Sequence, residues 1–330
     1  MSSLLRDAAN ALNPFQKQGP VPGSGVNRQM STKCLTSEIG TQGAGKTTAN
    51  CMLFLAARTL QQQIPGFYCD IDDRNSTIMR DISNIQRGHF PPKTKAYNTY
   101  AYQCALHMWW GGLTGKKSTT INSCDIAGED LMLTSQYQLK RPDEIAESQA
   151  MKLMEYVYTS DIVIPIAPAS RALLFENDEQ IEREDEDCAF DPDVNLASIL
   201  GELFRVRREQ RKPLKGIVLF LTKCDMIDTY VQKKHGWNLY DNERDRLNFL
   251  HMYFPFTTMK IKALTDTWAQ TQVAIFPMFI QTKKNSDGSI KRWETGPDIG
   301  HPIIDVENRM PKCSMQQCVE AINFIGKLVS

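Results

Sequence analysis

The chain has 330 residues, 42% of them apolar, with 38 basic and 38 acidic side chains and a formal net charge of zero. Length and apolar content allow one large domain or one domain with insertions, and the balanced charge removes any global electrostatic case for nucleic acid or an anionic membrane surface. Nine cysteines lie scattered without a C-x-x-C pair, which excludes a disulfide framework and reads as reduced core thiols in a cytoplasmic protein.

Residues 1–30 stand apart. "SLLRDAANALNPF" puts Leu4, Leu5, Ala8, Leu12 and Phe15 on one helical face, and "QGPVPGSGVN" has a linker's composition. This amphipathic segment is either a loosely docked terminus or a handle for a membrane surface or partner. From residue 31 a single domain is expected to run to 330. "CLTSEIG" reads as a strand entering a glycine loop, 46–63 as a helix, and "GFYCDIDD" as a short strand. "AYNTYAYQCALHMWW", "GGLTGKK" and "STTINSCDIAG" then read as a hairpin. Apolar runs at 160–170, 216–225 and 273–284 are of buried-strand type, and all fall far short of the roughly 20 residues of a membrane span. Helical patterns occupy 143–157, 194–211, 242–252, 259–271 and 314–328. The alternation predicts an α/β three-layer sandwich, a mostly parallel sheet with one antiparallel hairpin strand. Insertions are expected near 66–92 and 171–193. The second holds "ENDEQIEREDED" (176–187), eight acids among twelve residues, read as a solvated surface.

Three short strings carry the chemistry. "GTQGAGKTT" (40–48) matches G-x-x-x-x-G-K-[ST] at every fixed position, between a strand and a helix. Amides of Gly40, Gln42, Gly43, Ala44 and Gly45 can converge on phosphate at the helix N-terminus. Lys46 can reach the β and γ oxygens, and the Thr47 hydroxyl, with Thr48 beside it, can take one site on Mg²⁺. "TKCD" (222–225) closes an apolar strand at the same sheet edge. Asp225 there accepts from guanine N1–H and its exocyclic amine; adenine would aim a lone pair at the carboxylate, at a cost of about 1–3 kcal/mol. Lys223 can lie along the base, and Thr222 can brace the loop. "DIAGED" (125–130) supplies Asp125 for Mg²⁺ through water and the Gly128 amide for the γ-phosphate, which makes 129–142 a candidate switch.

In chain order, "GTQGAGKT", "DIAGE" and "TKCD" resemble the motifs of P-loop GTPases of the translation-factor/Ras-like class, over residues 34–284. "PPKTKAYNTY" and the following hairpin are similar to the switch I and interswitch of Arf-like and Gα-like proteins, and the resemblance makes Thr94 a Mg²⁺ ligand. The enlarged core also resembles prokaryotic double-GTPase-type families. The implied activity is Mg²⁺-dependent hydrolysis of GTP to GDP by a molecular switch that answers to a protein effector or regulator. Glu129 stands where such proteins carry a water-orienting glutamine, which implies slow turnover without a partner; Gln42, projecting from the loop, is the alternative catalytic group. Gln42 also occurs in the signal-recognition and dynamin-like classes, which leaves a homodimer activated by nucleotide open, while Glu129 leaves open a scaffold that does not hydrolyse. Arg74, Arg87 and Arg171 lie in candidate loops for an arginine finger. "QTK" (281–283) is the expected base-side element, with Thr282 and Lys283 against the guanine oxygen.

Overall fold

Runs that are apolar at every position become strands packed on both faces. In β5 (Ile162–Pro168) and β6 (Gly216–Thr222) every residue is buried. Their alternate side chains feed two separate cores, Ile164, Ile166, Val218 and Phe220 on one side and Val163, Ala167, Leu219 and Leu221 on the other. The computed structural model describes residues 34–41, 43–73, 77–92, 103–111, 117–124, 157–175 and 191–329. The chain separates into two units, Met1–Thr32 and Lys33–Ser330, and all described residues belong to the second. The amphipathic segment expected at 1–30 therefore lies outside them.

Two short strands, Val306–Glu307 and Met310–Pro311, form a separate antiparallel pair; the others are β1 (Cys34–Gly40), β2 (Phe67–Asp73), β3 (Gln103–Trp110), β4 (Lys117–Cys124) and β7 (Gln272–Pro277). With β5 and β6 these form one seven-stranded sheet in the order β2-β3-β4-β1-β5-β6-β7. β4, β1, β5, β6 and β7 are mutually parallel. Only β3 runs against the rest, as the middle strand of an antiparallel meander with β2 and β4. The expected hairpin is thus β3–β4, and "GFYCDIDD" adds a strand outside it.

Helix α1 (Lys46–Gln63) follows the glycine loop, and α2 (Thr77–Gln86) follows β2. Beyond β5 come α3 (Pro192–Glu209), α4 (Asp228–His235), α5 (Glu243–Tyr253), α6 (Pro255–Thr267) and α7 (Met315–Leu328). Cys51, Met52 and Phe54 of α1, Ile78 and Ile82 of α2 and Ile322 and Ile325 of α7 fill one core. Leu196, Leu200 and Leu203 of α3, Phe249 of α5 and Leu264 of α6 fill the other. The result is an α/β sandwich with helices on both faces. Six described cysteines are free thiols, four of them buried, and among the described residues no helix is long and apolar enough to cross a membrane.

Three helices depart from expectation. α2 falls within 66–92, where only an insertion was expected. α6 begins at Pro255 where the periodicity predicts 259. Proline suits a first helical turn, which needs no N–H there, and the fully buried Asp193 of α3 accepts from the amides of Phe256 (3.0 Å) and Thr257 (2.7 Å). α4, not foreseen, buries only Val231 and stops at Gly236 (φ 70°), so it shows no apolar stripe.

Gly326 of α7 lies flat against Trp110: a Cβ there would come within 2.7 Å of Cε2 and 2.9 Å of Nε1. In a free helix Gly→Ala gains about 0.8–1.0 kcal/mol, but overpacking costs about 1–3 kcal/mol, and Phe67 packs edge-on at 5.6 Å against the indole. Sterics win. Gly326→Ala is expected to lower the thermal midpoint by a few degrees, and adding Trp110→Leu to recover part of that loss relative to Trp110→Leu alone; melts of the three variants check it.

Candidate functional site

β1 ends at Gly40 against the neighbouring strand, where a Cβ would lie 3.2 Å from both Ile166 Cβ and its carbonyl oxygen. The chain then turns through Gly43 (φ 70°) and Gly45 (φ 85°), two left-handed positions that L-residues resist. Ala44 N–H donates to Thr41 O (3.3 Å), closing the turn, and Ala49 N–H donates to Gly45 O (2.9 Å), opening α1. Lys46 is 7% exposed, and its Nζ donates to the carbonyls of Gly40 (3.1 Å) and Thr41 (2.9 Å). A lysine arching back over its own loop places a positive charge beside the free end of a helix, where an anion is favoured. Thr47 and Thr48 follow on the first turn, both half-buried.

The second half of the site is tied to the first. Thr222, the last residue of β6, is 5% exposed and its hydroxyl donates to Ala44 O at 2.6 Å. Lys223 then takes a left-handed conformation (φ 57°) and starts a 3-10 turn, Cys224–Met226. That unusual backbone faces Asp225 outward while Cys224 is buried, its thiol donating to Leu221 O at 2.9 Å. Asp225 is exposed at the surface, yet the protein around it desolvates its carboxyl and pushes it up to about 6, against the pull of Lys223 and Lys284. A carboxylate so placed lacks the solvation it would have on an open surface, and paired donors would restore it.

Beyond β7 the chain stays extended beside this turn. Cys224 N–H donates to Met278 O (3.3 Å), and Met278 N–H to Leu221 O (2.7 Å). Odd-numbered amides then point away: Phe279 to Ser314 Oγ (3.0 Å), Gln281 to Lys312 O (2.8 Å) and Lys283 to Ile303 O (2.8 Å). Strand alternation turns the even amides, Ile280 and Thr282, toward the β6 side. Of the two base-side residues expected from sequence, Thr282 therefore has its amide on the side of Asp225, and Lys283 has its amide spent. Lys284, absent from the expected set, joins the expected Lys223 as a lysine whose charge reaches Asp225.

Gln42, Thr94, Asp125, Gly128 and Glu129 lie outside the described residues, as does Arg74. Arg171, a candidate finger, is committed elsewhere. It is 5% exposed, forks onto Asp191 (2.7 and 2.6 Å), donates to Tyr253 O, and lies under the rings of Phe175 and Phe254. Its partners pin the 3-10 turn Ala169–Phe175 to α3 and α5, and each of its three guanidinium nitrogens already donates within the protein. Arg87 is exposed beyond the end of α2.

A mostly parallel sheet with helices on both faces, and a glycine loop leading from its central strand into a helix, defines an α/β fold of the P-loop NTPase type. No family model matches the sequence, and no curated protein does. Among solved structures, the chain is similar to the S. cerevisiae Ski7 GTPase-like domain bound to GTP, with 12% identity over 81% of this chain and 47% of that one and a TM-score of 0.36. It is also similar to SsGBP in complex with GDP (14% identity, 83% and 52% covered, TM-score 0.27). Sup35 complexed with GDP gives 13% identity, 86% and 46% covered, and a TM-score of 0.27. The chain spans about half the length of these structures. Likenesses this faint carry nothing about chemistry, which rests on the geometry above.

The Thr222–Ala44 bond gives a direct test. Thr222→Val keeps the shape and leaves the buried Ala44 carbonyl without its hydroxyl, at a cost of about 1–3 kcal/mol. Chemical denaturation is expected to show that loss, whereas Thr222→Ser should retain most of the stability.

Proposed function

We propose that the chain binds GTP and GDP, hydrolyses GTP with Mg²⁺, and acts as a nucleotide-dependent switch toward a protein partner. The observation that carries this is the join between the two loops: a lysine-bearing glycine turn and a carboxylate-bearing turn, fastened by Thr222 at one sheet edge. Phosphates suit the first, since two left-handed glycines and a buried lysine make a concave, positive cradle. Guanine suits the second, since N1–H and the exocyclic amine are a donor pair for Asp225 and the base oxygen could meet the Ile280 or Thr282 amide. Nucleotide would draw Lys46 off its two carbonyls onto the β and γ oxygens.

Thr47 is the described member of the proposed Mg²⁺ set, and a half-buried hydroxyl on the first helical turn fits one position of that hard ion's oxygen shell. Thr94 and Asp125 are proposed as the others. Bound Mg²⁺ would neutralise charge on the phosphates. Gln42 and Glu129 are the proposed water-orienting groups; a carboxylate at 129 would repel the γ-phosphate and keep turnover slow. A protein partner is supported by exposed Leu174, Phe175, Val194, Met252, Phe256 and Met259. Phe175 lies 5.9 Å from the Tyr253 ring, and Val194 adjoins the Asp193 that holds Phe256, so these side chains come from one corner of the domain.

The Asp225 carboxyl fixes the sign of a pH effect. Unfolded aspartate titrates near about 3.9 and Asp225 at about 6, so the nucleotide-free fold binds this proton more tightly. Its contribution to stability is present below about pH 4 and is lost as pH rises through about 6. Guanine needs the carboxylate, so GDP affinity moves the other way, climbing across the same window. Asp225→Asn should flatten both trends and weaken GDP. Measured phosphate release should be slow, specific for GTP over ATP, and abolished by Lys46→Ala; equal turnover of ATP would overturn the proposal.

A further inference from the structure

We propose that His89 is a positioning residue for the base-reading segment 278–284, acting through a clasp on the excursion between β7 and α7. This rests on the guanine reading above. His89 lies just beyond α2, and its imidazole stacks flat on the Trp293 indole, with centroids 4.3 Å apart and planes 5° apart. Its Nδ1 lies 2.5 Å from Asp298 Oδ2. The preceding Gly88, at φ 93°, turns its carbonyl to accept from Ile304 N–H at 2.9 Å, and a Cβ there would meet Ile304 O at 3.4 Å.

The contact is carried onward by backbone. Residues 303–305 present one edge to Gly88 and the other to 281–283: Lys283 N–H donates to Ile303 O, and Asp305 N–H to Gln281 O, both at 2.8 Å. Ile304, fully buried, packs in the same core as Ile78, Ile82 and Ile85 of α2. Three backbones thus lie side by side, from Gly88 through Ile304 to Thr282, and the last turns its amide toward the Asp225 side. β2 and β7 stand at opposite ends of the sheet order, and the clasp joins the segment after α2, which follows β2, to the segment after β7.

An excursion held by isolated bridges and one two-residue antiparallel pair is marginal without packing. Ile280 and Ile304 anchor it in the core, and the His89–Trp293 stack and the Asp298 bond add packing at its outer end. Loosening them shifts 281–283, and with it the amide that would meet the guanine O6, while Asp225, set by the Thr222–Asp225 turn, stays in place. The clasp is therefore expected to govern one base contact and not the other.

Equilibrium titrations of the full chain with GDP, 6-thio-GDP and IDP separate the two contacts. 6-Thio-GDP replaces O6 by a poor acceptor, and IDP lacks the amine that Asp225 would accept from. His89→Ala is expected to weaken GDP about tenfold, the size of one backbone hydrogen bond. It should change 6-thio-GDP little and leave the preference for GDP over IDP, which Asp225 sets, above unity. His89→Phe keeps the stack and should restore most of the GDP affinity; Trp293→Leu gives the same comparison where His89→Ala does not fold. Equal losses for GDP and 6-thio-GDP, or no loss in either, overturn the clasp's role. An unaltered chain that binds none of the three overturns the guanine reading itself.

Discussion

The bond from Thr222 to the Ala44 carbonyl is the constraint on which the site depends. It is short, buried, and joins the loop after β1 to the loop after β6, two strands that are not neighbours in the sheet. β5 lies between them, and Gly40 approaches Ile166 closely enough that a Cβ would be crowded against it. A hydroxyl spanning that gap fixes the distance between the cradle at Lys46 and the carboxylate at Asp225. Both ends of an elongated ligand could then be met by groups whose spacing is set before it arrives, which lowers the entropic cost of binding.

Around this join the structure stores unfavourable features in pairs with their remedies. Gly43 and Gly45 adopt positive φ where a glycine bears it at little steric cost, while Lys223 adopts it without that excuse. Asp225 is crowded enough to resist ionisation, and Lys46 is buried with its ammonium turned onto the carbonyls of its own loop. Strain and poor solvation of this kind persist where a scaffold over-determines them, and they cluster where a ligand can relieve them. The scaffold here is the pair of fully buried central strands, whose side chains lock into two helical layers.

Much of this was legible in the chain itself, for physical reasons that also mark its limits. β5 and β6 are apolar up to Thr222 because parallel strands bury both faces, and α1 follows its loop because the loop motif includes the helix start. The placement of Lys46, Thr222 and Asp225 was readable because each lies at or within a few residues of a strand end. α4 was not, since a helix burying only Val231 leaves no stripe. The start of α6 was not, since its cap, Asp193, comes from another helix. The amide register at 280–283 depends on pairing with 303–314, and the His89–Trp293 stack joins residues some two hundred positions apart; neither leaves a local period. Arg171 looked available only because its partner Asp191 lies beyond the acidic stretch.

The central claim is that one rigid edge holds both ends of a single guanine nucleotide. Calorimetric titration of the full chain with GDP, ADP and GMP tests it most directly. Tight binding of GDP, with ADP and GMP each weaker by at least about a hundredfold, is the predicted result, since each rival forfeits the contacts of one loop. ADP bound as tightly as GDP would contradict it, because the carboxylate at Asp225 would then be reading nothing.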